Sequence, residues 1–82
     1  MKKDMIIGTI VRIERLNNSN NGNPRYNVVI REDSGDYYLY AKTASDASCG
    51  YVVDEYVGKK KLYHYHVTKK GNNIIDYISS IM

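Results

Sequence analysis

The chain has no tryptophan and no phenylalanine, one cysteine, one proline and no apolar run longer than a few residues. Each shortage excludes something. The lone Cys49 closes no internal disulfide, so a chain of 82 residues must draw its stability from packing, an oligomer or a ligand, and a reducing compartment is expected. The brevity of the apolar runs argues against a membrane-spanning helix. The Lys2-Lys3 start is not followed by the apolar stretch of a secretory signal, so the expected localisation is cytoplasmic, away from membrane. At 43% apolar and 26% charged residues the chain is too apolar for a disordered tail. Its length allows one domain, spanning 1–82.

What is present is equally pointed. All nine aromatic residues are tyrosines, and the formal charge is +3 with a pI of about 9.0. A buried tyrosine must find a partner for its hydroxyl, whereas an exposed one offers a flat apolar face with a polar tip, so some of these tyrosines are expected at the surface. The basic surplus suits nucleotides, nucleic acid or an acidic protein.

Met5 to Leu16 alternates with a period of two, Ile7, Thr9, Val11 and Ile13 on one side and Ile6, Gly8, Ile10, Arg12, Glu14 and Leu16 on the other, which predicts a long first strand. Gly8 stands where such a strand could bend sharply. The segment from Asn17 to Arg25 is crowded with turn formers and reads as a loop. A second strand from Tyr26 to Glu32 and a third from Tyr37 to Thr43 flank an Asp33-Ser34-Gly35-Asp36 turn. Small residues from Ala44 to Gly50 predict a short helix or helical turn, and Tyr51 to Gly58 reads as connection. Lys59 to Thr68 and Asn73 to Ser80 supply two further strands about a Lys69–Asn72 turn. The order β-β-β-short α-β-β is that of a mainly β, five-stranded oligonucleotide/oligosaccharide-binding (OB)-like barrel, with an SH3-like barrel as the alternative.

The loop carries a more specific wording. Leu16-Asn17-Asn18-Ser19-Asn20-Asn21-Gly22-Asn23-Pro24-Arg25-Tyr26 resembles a family of small bacteriophage proteins that share Asn-Ser-x-Asn-Gly-Asn-Pro-Arg-Tyr/Phe. Thr43, Asp46, Ala47 and Tyr51 match that family's Thr-x-x-Asp-Ala-x-x-x-Tyr spacing, and Asn17 departs from it where the family often has proline. The resemblance implies a phage or prophage product working in the cytoplasm of a bacterial host cell, and no particular activity.

Two stretches carry candidate chemistry. Tyr38, Tyr40 and Lys42 share one side of the third strand, a pattern suited to base stacking with a phosphate contact, while Tyr37, Leu39 and Ala41 read as core. Arg25 and Arg31 on the neighbouring strand add positive charge, and Asn21 and Asn23 in the loop offer amides for base edges or phosphates. In the fourth strand Lys61, Tyr63, Tyr65 and Val67 face one way and Leu62, His64, His66 and Thr68 the other, and Tyr63 and Tyr65 are counted with the binding surface. His64 and His66 lack a defined third ligand for zinc, and no cofactor or metal is expected. No phosphate loop or nucleophile motif appears, so the chain is expected to be non-enzymatic. The leading expectation is capture of a nucleotide or single-stranded nucleic acid, a class that in a phage setting includes host defence signals; the alternatives are a protein-protein inhibitor or accessory factor acting on a host or phage protein, and homo-oligomerisation.

Overall fold

The structure is a computed structural model that describes residues 2–18, 20, 22–44 and 52–81. The strands are β1 (Lys2–Arg15), β2 (Tyr26–Glu32), β3 (Tyr38–Thr43), β4 (Lys60–Val67) and β5 (Asn73–Ser79), with one short 3-10 turn, Val53–Tyr56, between β3 and β4. They close into a barrel in the order β1-β2-β3-β5-β4, all neighbours antiparallel except the parallel pair β3–β5. This is a mainly β, OB-like barrel. The helix expected over residues 44–50 falls, apart from Ala44, outside the described residues. The stretch read as connection contains the 3-10 turn, whose Val53 is fully buried and plugs the core.

Closure depends on β1 serving two neighbours. Its first half pairs with β4 from Lys2 to Thr9, its second with β2 from Gly8 to Arg15, so the strand changes partner around Gly8. A Cβ built at Gly8 would lie 2.4 Å from the Arg31 carbonyl oxygen and 2.9 Å from Ile30 Cγ2. Only glycine admits so close an approach of two backbones.

Beyond Gly8 the expected alternation breaks. A bulge at Val11 shifts the register between Ile10 and Arg12, so that Ile10 opposes Ile30 but Arg12 opposes Val29 and Ile13 opposes Val28. The extra residue reverses the faces. Ile6, Gly8 and Ile10 point inward before the bulge, whereas Ile13 packs against the core after it, and Arg12 and Glu14 are exposed. Tyr37, expected beside Leu39 and Ala41 in the core, is 49% exposed. It precedes β3, and its carbonyl accepts the Glu32 N–H at 2.8 Å to close the turn.

The interior is built from Ile6, Ile10, Val28, Ile30, Leu39, Ala41, Val53, Tyr63, Tyr65 and Ile75. With no phenylalanine or tryptophan available, Tyr63 fills the centre. Its hydroxyl donates to the Lys59 carbonyl at 3.0 Å, which meets the need for a partner. Thr43, also fully buried, accepts the Tyr26 N–H through Oγ1 at 3.0 Å.

Candidate functional site

The outer side of β1–β3 gathers most of the expected binding residues. Pairing sets the rows: Arg31 stands opposite Tyr38, Val29 opposite Tyr40 and Asn27 opposite Lys42. On the other flank Arg12 opposes Val29 and Glu14 opposes Asn27. The result is a strip in which Tyr38 and Tyr40, 48% and 65% exposed, lie about 6.8 Å apart along β3 at two residues' rise. Arginines stand beside them on β2 and β1.

Between these rows lies a groove of about 340 Å³, floored by Arg12, Glu14, Asn27, Val29, Tyr40 and Lys42. That volume falls at the small end of ligand clefts, roughly 300–1,000 Å³. Its lip is the β4–β5 turn, where Gly71, at φ +86°, admits the reversal that brings Asn72 and Asn73 over the groove. Asn73 Nδ2 donates to the Tyr40 carbonyl at 3.0 Å and ties the lip to β3. Lys69 and Lys70 are exposed on the same turn.

The electrostatics of the strip are one-sided. Asn27 Nδ2 donates to Glu14 Oε1 at 3.0 Å, which occupies part of the one carboxylate that floors the groove among the described residues. Among the described residues Arg12, Arg25, Arg31 and Lys42 form no ion pair, and Asp33, two residues beyond Arg31, instead holds Lys60 at 2.9 Å. Arg25 continues the outer line of β2 and is half-buried, and its Nε–H is enclosed with no hydrogen-bond acceptor among the described residues.

The β1–β2 loop is anchored by a residue that the sequence pattern did not single out. The Arg15 guanidinium donates to the carbonyls of Leu16 (3.0 Å) and Arg25 (3.3 Å) and to Asn18 Oδ1, and lies over the Tyr26 ring at 5.4 Å from its centroid. Leu16 N–H donates to the Arg25 carbonyl at 2.9 Å and closes the loop's ends. Asn23 is half-buried, and Asn21 lies outside the described residues.

Tyr63 and Tyr65 require a correction. They face the interior of β4, Tyr63 without exposed surface and Tyr65 at 9%, so neither ring can stack on a ligand. The strand's alternation was read in the right phase but its inner and outer sides were exchanged. Burial pushes the Tyr63 hydroxyl up from 10.0 to about 12. Tyr65 is also raised, first by burial and then by the Asp4 carboxylate beside it.

The residues missed were Arg12, Asn72 and Asn73. Arg12 reaches the face only because of the Val11 bulge, while the two asparagines could have been found from their place in the turn that flanks the binding side of OB-like barrels.

On the opposite side His64 and His66 both lean toward β5. His66 Nδ1–H donates to Asp76 at 2.8 Å, and His64 stacks on Tyr77 with centroids 4.0 Å apart and has its Nε2 2.9 Å from Ser79 Oγ. No group of three or more His, Cys, Asp or Glu able to hold a metal occurs among the described residues.

No known protein family matches the chain, and no curated protein or solved structure shows significant similarity to it.

Proposed function

We propose that the outer face of β1–β3 captures a nucleotide or a short single-stranded nucleic acid, without chemistry on it. The observation that carries this reading is the pair Tyr38 and Tyr40, exposed at adjacent outward positions of β3 and bordered by cations that form no ion pair among the described residues. Aromatic faces stack bases of any sequence, and guanidinium and ammonium groups follow the phosphates. Val29 gives the floor an apolar centre, and the amides of Asn27, Asn72 and Asn73 can read base edges. The resemblance of the Asn-rich loop to phage proteins extends the ligand class to nucleotides that signal in host defence.

Fluorescence anisotropy with labelled single-stranded DNA and RNA, and calorimetry with mononucleotides, test the proposal at low salt. Binding is expected, and Tyr40→Ala and Tyr38→Ala should each weaken it by about 1–3 kcal/mol. Absence of binding to every probe, or full affinity in both alanine variants, overturns the reading. Retention of a host protein that survives nuclease treatment would favour a protein target instead.

A further inference from the structure

We infer that the groove selects guanine among the bases, with Glu14, Asn27 and Lys42 reading its Watson–Crick edge; this deepens the capture reading above and rests on it. Cross-strand pairing lays the three side chains in one row of the outer face, Glu14 on β1 opposite Asn27 on β2, and Asn27 opposite Lys42 on β3. All three line the groove. A carboxylate is out of place in a site meant for phosphates alone, because it repels them. Glu14 does not serve to neutralise a neighbouring cation either. Among the described residues it forms no ion pair with Arg12, two positions earlier on the same strand, or with Lys42, and it accepts instead from the neutral Asn27 amide at 3.0 Å. A carboxylate has about four acceptor positions, and this amide N–H uses one of them.

The same bond orients the amide. An ionised carboxylate only accepts, so Asn27 turns Nδ2 toward Glu14 and keeps Oδ1 as an acceptor. From β1 to β3 the row therefore offers an acceptor, an acceptor and a donor. The Watson–Crick edge of guanine is the complement, since its N2 amine and N1–H donate and its O6 accepts. With N2 at Glu14, N1–H at Asn27 Oδ1 and O6 at Lys42, every group is matched. The other bases fail at one position or more. Uracil and thymine set a carbonyl oxygen against Glu14 in either direction. Adenine and cytosine can offer an amine to Glu14, but then bring an unprotonated ring nitrogen against Asn27 Oδ1. The flanking rows orient the rest of the nucleotide. A step of about 6.8 Å along the strands leads to Arg12, Val29 and Tyr40, and a second such step to Arg31 and Tyr38. A base whose edge meets Glu14 lies against Tyr40 and Val29, with its phosphate toward the arginines and away from the carboxylate. Glu14 is exposed, so water softens the penalty for a wrong base and the discrimination is on the order of tenfold.

Calorimetry of the full chain with the 5′-monophosphates of guanosine, adenosine, cytidine and uridine at low salt tests the inference. The guanine nucleotide should bind at least about tenfold tighter than the other three. Inosine 5′-monophosphate, which differs from it only by lacking the N2 amine, should lose most of that preference. Glu14→Ala should weaken the guanine nucleotide by about tenfold and leave the adenine nucleotide bound as tightly or more tightly, because removal of a negative charge favours every phosphate. A purely electrostatic role for Glu14 would instead shift all four in the same direction. Equal affinity for the four nucleotides, or a guanine preference that survives Glu14→Ala, overturns the selection and leaves capture standing. Absence of binding to every mononucleotide also overturns it, while capture itself falls only if single-stranded DNA and RNA fail as well.

Discussion

Tyr63 shows how one residue type is divided between two tasks in a chain without phenylalanine. At the barrel centre its ring supplies the bulk of the core and its hydroxyl is bound to a carbonyl, while on β3 the same side chain at Tyr38 and Tyr40 is left open to solvent. The division has a pH signature. Burial holds the Tyr63 hydroxyl neutral up to about pH 12, against 10.0 for the ordinary side chain, so the unfolded chain releases this proton first. A folded pKa above the unfolded one means that the stability is fully present below pH 10 and is lost as pH rises toward 12, by on the order of 2–3 kcal/mol. Urea unfolding at pH 9, 10 and 11 should show this decline, and Tyr63→Phe should flatten it while lowering stability at pH 9 through loss of the bond to Lys59. An equal decline in the variant would place the effect on another group, Tyr65 being the nearest in kind. At this scale the sequence was informative about chemistry and not about side: Tyr38, Tyr40, Lys42 and Arg31 were legible as one outward strip, but Tyr63 and Tyr65 were assigned outward because alternation alone does not say which side is wet.

Among the elements, β1 bears the greatest demand, because one strand must belong to both halves of the barrel. Gly8 makes this possible by letting the β2 backbone come within a distance that excludes a side chain. Gly8→Ala should therefore destabilise the fold by about 1–3 kcal/mol, as overpacking does, with the strand forced away from Ile30 and Arg31. Ala at Gly22, which has open space around its Cβ position, meets only the strain of its φ of +82° and should cost less. Thermal or urea denaturation of the two variants checks the order, and equal losses would mean that the close approach at Gly8 is not what limits closure. The strand order and the special place of Gly8 were readable because period-two patterning and turn residues are local signals, although β1 begins at Lys2 and not at Met5. The Val11 bulge was not, since nothing in Ile10-Val11-Arg12 marks an extra residue; it exists to reconcile β1 with the register of β2. That single irregularity explains why Ile13 packs on the core although it shares a side of the alternation with the exposed Ile7 and Val11, and why Arg12 went unnoticed.

The whole molecule carries a formal charge of only +3, too small to define a partner, yet the charge is not spread evenly. Arg12, Arg25, Arg31 and Lys42 collect on the side of the Tyr38–Tyr40 strip with Glu14 as the carboxylate in its groove, whereas the far side balances Lys3 and Lys60 against Asp76 and Asp33. Such a distribution concentrates positive potential on the Tyr38–Tyr40 side of the barrel. If three or four of the clustered cations contact phosphates, the logarithm of affinity for single-stranded nucleic acid should fall with the logarithm of salt with a slope of about −2 to −3. Arg12→Ala should make that slope shallower by about 0.7, and Lys3→Ala, on the far side, should leave it unchanged. Anisotropy titrations at several salt concentrations read both slopes. Equal effects of the two substitutions would mean that affinity follows net charge alone, and the clustering of cations around Tyr38 and Tyr40 would then have no part in binding. A shallower slope in Arg12→Ala alone would place the phosphates on the face that the Val11 bulge created.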